Sequence, residues 1–313
     1  VRLIIDTDAG VDDAQAIMLA LAQPGAKIEA ITTVTGNVHI EKVIANVFTV
    51  LEVMRAPNIP VFRGADQPLI PGYWQPEVRV HGEDGLGNYT QRPPTARRVE
   101  PEAAALALVR LANEAPGALT LLTLGPLTNI ALACKIDPDF PRKIGRLVFM
   151  GGAYTAMGNT KNLTAEFNIF CDPEAALITL EAFPQATMIS WEATMRHPLA
   201  WTDFDALTSV STSPARFMHA ITLQTTTFLR SFEQVPGYLL PDPLAMAVAL
   251  DPALVQQSET HYVTVELQGT HTRGQTVVDY FGQTGRAPNV TIVTQINMDR
   301  VSQMFWQTVR SLA

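Results

Sequence analysis

Four aspartates, Asp6, Asp8, Asp12 and Asp13, fall within eight residues of one another in the stretch IIDTDAGVDDAQAI. An apolar run precedes them and a helical pattern follows, which places them where a strand ends and a helix begins. Carboxylates held this close repel one another unless a cation, a positive helix terminus or hydrogen-bond donors answer their charge. Helix capping by Asp12 or Asp13 accounts for one or two of the four. It does not account for the acids at the strand end. A set of oxygen ligands is what a hard cation, calcium or magnesium, requires.

Other strand ends carry polar residues of a matching kind. TTVTGN leaves Asn37 after the second strand, and LTLGPLTN places a Gly-Pro turn after a later one. GGAYTAMGNTKNLTAEFN offers Asn159, Glu166 and Asn168, and LLPDPLAMA supplies Asp242 between two prolines at a helix start. Amides and a carboxylate suit a polyol such as ribose, whose hydroxyls need both donors and acceptors. Taken singly, each has a plainer reading. Asn37 and Asn159 follow glycines as turn residues do, Glu166 fits a solvated loop, and Asp242 fits a helix cap.

The elements that must position these residues alternate. Strand-like runs at 1–6, 27–34 and 59–62 are separated by helical patterns at 11–23 and 39–54. A stretch of about 35 residues rich in Pro, Gly and aromatics (63–98) interrupts the pattern, and a loop of that length in a compact domain is usually functional or disordered. Alternation resumes with a helix at 101–114, a strand in ALTLLTL, a helix in PLTNIALACKI and a strand in IGRLVFM. A second loop, 151–171, leads to the helix PEAALITLEAF and the strand ATMIS. Beyond residue 200 the spacing predicts helices near 214–232 and 243–250, strands in HYVTVEL and NVTIVTQI, and a terminal helix. Repeated β–α alternation predicts an α/β fold: an open, mostly parallel central sheet flanked by helices, read as a single domain over 1–313. Ligands of such sheets sit at the carboxyl ends of the strands, the rim where all these polar segments would converge.

Composition narrows the partners. A formal net charge of −8 argues against nucleic acid and anionic membranes, and no apolar run approaches the roughly 18 residues of a membrane span. With only Cys134 and Cys171 in 313 residues, and a strand-like run at once without a basic leader, the expectation is a cytoplasmic protein. The ligand expected is a small molecule.

In order along the chain, DTDAGVDDAQAI, TTVTGN, VHGEDGLG, LGPLTNIA, FMGGAY, AEFNIFCDPEAA and PDPLAMA closely resemble the inosine–uridine-preferring nucleoside hydrolase family. The resemblance runs from residue 3 to about residue 250. It implies hydrolysis of the N-glycosidic bond of ribonucleosides to free base and ribose, through an oxocarbenium-like sugar. It implies a calcium ion held by Asp8, Asp13, Asp242 and the Leu124 carbonyl, which also grips the ribose diol and the attacking water, with Asp8 as general base. Asp12 and Asn37 would face the ribose 2′ side, Asn168 the 3′-hydroxyl, and Glu166 and Asn159 the 5′-hydroxyl side. A homodimer or homotetramer is implied as well.

Two departures stand out. Asn159 precedes Glu166 by seven residues, one more than the family pattern, which makes Asn162 a rival for the 5′ role. Many members carry a His just before the metal-binding Asp, to protonate the departing base; here that position is Pro241. His81 in VHGEDGLG is the titratable substitute, or an aromatic ring from Tyr73, Trp74, Tyr154, Trp191, Phe228 or Tyr238 stacks on the base, which gives a purine lean. Pro241 also leaves open a nucleoside-binding protein that has lost catalysis. DTDAG alone admits an aspartyl-phosphate enzyme, against which stands the lack of a phosphate-binding Lys or Gly-rich cradle nearby.

Overall fold

The computed structural model describes residues 1–72, 74, 76–232 and 235–312. The first half runs β1 (Arg2–Thr7), α1 (Val11–Ala22), β2 (Lys27–Thr33), α2 (Ile40–Val53) and β3 (Val61–Phe62). A single-turn helix, α3 (Val78–His81), interrupts the long loop that follows. Then come α4 (Ala104–Glu114), β4 (Thr120–Thr123), α5 (Thr128–Ile136), α6 (Phe140–Lys143) and β5 (Arg146–Met150). After the second loop lie α7 (Phe167–Cys171), α8 (Pro173–Ala182) and β6 (Ala186–Ile189). The remainder begins with α9 (Trp191–Arg196), β7 (Leu199–Ala200), α10 (Trp201–Thr208), α11 (Ser213–Arg230) and β8 (Gly237–Tyr238). It ends with α12 (Pro241–Leu250), β9 (Val255–Val265), β10 (Thr276–Asp279), β11 (Val290–Ile296) and α13 (Met298–Arg310).

Nine strands form one sheet in the order β10-β9-β11-β6-β5-β4-β1-β2-β3. All neighbours from β11 to β3 are parallel, and β9 runs antiparallel to both β11 and β10. The expected mostly parallel α/β sheet is therefore present. Because β1 pairs with β2 on one side and β4 on the other, the chain reverses direction across the sheet beside β1. A crevice opens at such a reversal, at the carboxyl ends of the strands.

Side chains of β1 alternate between two apolar layers. Leu3 and Ile5 join the core beneath α1, α2 and α12, while Ile4 joins the core beneath α4, α5 and α8. That period of two carries on past the apolar run. Thr7 faces α1, where its hydroxyl donates to Asp13, and Asp6 faces α5, where Asn129 donates to it. Helix α12 is buried from Asp242 to Ala249 and packs along α1. A helix apolar on every side belongs inside a protein, and this one brings its first turn against the first turn of α1.

Elements that escaped the sequence reading are short or polar. The first half of β9 is QQSET, exposed at each residue, and it is held by pairing with β11 rather than by burial. No described helix is long and apolar enough to cross a membrane.

Candidate active site

The chain leaves β1 through a tight bend, with Ala9 in the left-handed region at φ 39°. Its carbonyl accepts from Asn46 Nδ2 at 2.9 Å, which anchors the bend to α2. The bend turns Asp8 inward between two glycines, Gly36 and Gly125, and Asp8 is fully buried. Asp8 Oδ2 accepts from the Asn37 backbone N–H at 2.6 Å. Asp8 Oδ1 is buried with no hydrogen-bond partner among the described residues.

Asp13, in the first turn of α1, takes three donors. Its Oδ1 accepts from Thr7 Oγ1 at 2.5 Å, and its Oδ2 from Gly10 N at 2.8 Å and Asn37 Nδ2 at 3.2 Å. Asp242 enters from the first turn of α12. Carboxylate oxygens of Asp12, Asp13 and Asp242 lie within 4.8 Å of one another. Burial, and then the neighbouring carboxylates, hold Asp8 and Asp242 well above the usual carboxylate range. Burial also raises Asp13, and pushes Asp12 up to about 6. Two helix N-termini soften this repulsion by a few tenths to about 1 kcal/mol each. Like charges at such separations are worth several times that, so the cluster favours protons or a cation. The resemblance groups Asp8 with Asp13 and Asp242; in the structure Asp12 also stands close to Asp13 and Asp242, and the charge of Asp8 is felt by all three.

Across the crevice, Leu124 follows β4 and its carbonyl accepts from Asn168 Nδ2 at 2.7 Å. The same amide nitrogen reaches the Met150 carbonyl at 3.1 Å. Glu166 caps α7: its Oε1 accepts from Asn168 N at 2.9 Å, and its Oε2 from Gly152 N at 3.0 Å and Ile169 N at 3.2 Å. Burial nevertheless pushes Glu166 up to about 7. Asn159 is exposed and borders the cavity. Asn162 is buried within its own loop, donating to the Arg273 carbonyl and accepting from Thr160 Oγ1 and Ala165 N. It is not among the residues that border the cavity.

The cavity measures about 420 Å³. Its polar floor holds Asp12, Asn37, Leu124, Glu166, Asn168 and Asp242. Its other wall is apolar and aromatic, with Trp191, Phe228 and Tyr238. Of the other rings, Trp74 donates to the Gly36 carbonyl at 2.5 Å and Tyr154 lies outside the lining. Tyr73 lies outside the described residues. Pro241 is the first residue of α12 and borders the cavity, as does His81. His81 Nδ1 accepts from the Val11 N–H at 3.1 Å, so the ring proton is assigned to Nε2. Burial pushes this imidazole down to about 4. It is a neutral hydrogen-bond donor near neutral pH rather than a stored proton.

A sequence model of the family described as inosine-uridine preferring nucleoside hydrolase matches residues 3–303. The chain belongs to that family. Among its relatives, the pyrimidine-specific ribonucleoside hydrolase RihA of Enterobacter sp. (strain 638) is 35% identical over 94% of this chain and 93% of its own length. A solved inosine-guanosine nucleoside hydrolase superposes with a TM-score of 0.92 at 34% identity, covering 100% of this chain and 99% of the other. A purine-preferring ribonucleoside hydrolase from Gardnerella vaginalis gives a TM-score of 0.90 at 29% identity, over 99% of this chain and 98% of the other. This nucleoside hydrolase is therefore an enzyme, an N-ribohydrolase acting on ribonucleosides. Both cysteines of the hydrolase are free and buried, and burial and nearby carboxylates drive the Cys171 thiol up, away from a nucleophile's range.

Sequence reasoning missed Thr7 and Asn129, which hold the acids from behind. Their only signal was position: the last residue of β1, and the second residue of α5.

Proposed function

We propose that Asp8 is the general base of ribonucleoside hydrolysis and that calcium is the cation of the site. The observation that carries this reading is Asp8 Oδ1, a buried carboxylate oxygen without a partner beside the acids of α1 and α12. The donor set fits a hard cation: Asp8, Asp13 and Asp242 with the Leu124 carbonyl, which accepts from Asn168 and keeps a second lone pair. When bound, calcium supplies Lewis acidity and a grip on the sugar diol.

The chain's own residues then divide the work. Asp8, held through Oδ2 by Asn37, takes a proton from the attacking water on its other oxygen. Asp12 and Asn37 face the ribose 2′ side. Asn168 directs its amide nitrogen at two backbone carbonyls, so its amide oxygen is the atom offered to the 3′-hydroxyl. Asn159 and Glu166 serve the 5′ side, and the negative charge of Glu166 and Asp12 favours the oxocarbenium-like transition state. His81 Nε2–H stands in for the group that Pro241 cannot provide, donating a hydrogen bond to the departing base.

Trp191, Phe228 and Tyr238 along the wall support stacking on the base, and with it a purine preference. A homodimer or homotetramer follows from the family resemblance, and sedimentation velocity tests it. Two buried free thiols fit a cytoplasmic setting. The central test is release of ribose from inosine, adenosine, uridine and cytidine, with and without chelator, by the native enzyme and D8N. Calcium-restored activity that D8N lacks supports the reading. Chelator-resistant turnover, or an active D8N, sinks it.

A further inference from the structure

One side chain of α11 fastens the segment that carries His81. Gln224 Nε2 donates to the carbonyls of Val78 at 2.6 Å and Arg79 at 3.1 Å, and Thr225 Oγ1 donates to the Val80 carbonyl at 2.8 Å. A single-turn helix is marginal on its own and leaves its last carbonyls without partners inside the helix. Here α11 supplies the partners of the Arg79 and Val80 carbonyls and joins Gly82 N at that of Val78, while Gly87 N donates to the His81 carbonyl. Gln224 Oε1 in turn accepts from Asn88 Nδ2 at 2.9 Å, and Asn88 Oδ1 accepts from Glu83 N at 2.9 Å, which closes the turn after His81. Gly87 lies flush on the Ile221 carbonyl, where any Cβ would overlap it. Residues 78–88 are thus seated on α11 at both ends through one amide.

The imidazole has a second anchor in the Val11 N–H, at the start of α1. It is therefore suspended between the helix that presents the acids and the helix that presents Phe228 to the cavity. Only an amide serves both halves of the Gln224 contact. Its nitrogen donates twice and its oxygen accepts, whereas a carboxylate would set an acceptor against two carbonyls.

We propose that Gln224, assisted by Thr225, is a positioning residue for His81, fixing α3 on α11 so that imidazole and Phe228 meet the departing base in one relation. The assignment rests on the role proposed above for His81. Displacing a catalytic group by about 1 Å costs up to about 100-fold in rate. Loss of one of two anchors should cost about tenfold in kcat, with KM little changed.

The test compares Q224A, Q224E and H81A on a ribonucleoside and on p-nitrophenyl β-D-ribofuranoside. The nitrophenolate leaves as a stable anion and needs no donor from the protein. Expected is a fall of about tenfold in nucleoside kcat for both Gln224 variants, with the nitrophenyl riboside rate unchanged. Equal losses on both substrates, or none on either, overturn the assignment. Full nucleoside activity in H81A sinks the reading of His81 and this inference with it. A reduced H81A beside fully active Gln224 variants sinks the inference alone.

Discussion

Gly36 stands so close to Asp8 that a Cβ on it would overlap Asp8 Oδ2 and lie 2.7 Å from Asp8 Cγ. Gly36 is not among the residues of positive φ, so the requirement is one of space and not of backbone conformation. Gly125 presses on the same carboxylate from the turn after β4, its Cβ position 3.0 Å from both Cβ and Cγ of Asp8. The two glycines therefore set where the proposed base can stand. G36A should lower kcat/KM by about 100-fold through displacement of Asp8, while overpacking costs about 1–3 kcal/mol of stability. Steady-state kinetics and thermal melting check the pair. Activity within a factor of about two of the native enzyme would show that Asp8 does not need this place.

Removing divalent cations should make the protein less stable as pH rises. Asp6 and Glu166 are pushed up to about 7 and Asp12 to about 6 by burial, and Asp8, Asp13 and Asp242 are raised too. Unfolded carboxyl groups titrate near 4. Between about pH 4 and 7 the folded chain holds more protons than the unfolded one, so stability falls with rising pH and the contribution is lost once these groups ionise. A cation competes with those protons, and its stabilisation should grow over the same interval. Melting of chelated and calcium-loaded protein from pH 5 to 8 measures both trends. A chelated protein that gains stability over that range would refute the account.

What the sequence disclosed depended on whether a residue's role follows from strand and helix periodicity. Asp8, Asp13 and Asp242 sit at element boundaries that alternation and proline spacing mark, and the sheet brings those boundaries to one rim. The parallel core was legible for the same reason, since its strands are continuous apolar runs. The edge was not. β10 is four residues long and half of β9 is polar, so pairing rather than burial creates them. Nor was the fixing of His81, because Gln224 is separated from it by more than 140 residues of chain and nothing local singles out a partly buried glutamine.

Asn159 and Asn162 should separate cleanly. Asn162 ties its loop to the Arg273 carbonyl and braces Thr160 and Ala165 from within, so N162A removes buried hydrogen bonds worth about 1 kcal/mol each. Its effect should appear in melting temperature, with KM near native. Asn159 borders the cavity and is exposed. N159A should leave melting unchanged, raise KM for a ribonucleoside and spare the 5′-deoxy analogue. A KM effect confined to N162A would assign the 5′-hydroxyl to the other amide.

Asp242 tests whether the acid cluster costs stability for the sake of function. Its place in the first turn of α12 contributes about 0.3–1 kcal/mol through the helix dipole. Against that stand carboxylates of Asp12 and Asp13 within 4.8 Å, each repelling an ionised Asp242 by about 3–4 kcal/mol at an effective dielectric constant of about 20. Repulsion is the larger effect. D242N keeps the shape and removes the charge, and no cap is lost with it, because Leu240 is the N-cap and Asp242 makes no side-chain cap bond. At pH 8 and without cations it should therefore melt above the native protein, by about 1 kcal/mol or more of stability. It should also lose the stabilisation that calcium gives the native chain, together with turnover. Had Asp242 served only as a first-turn charge on the dipole of α12, the substitution would leave the calcium-dependent shift in melting intact, and that result would remove it from the ligand set.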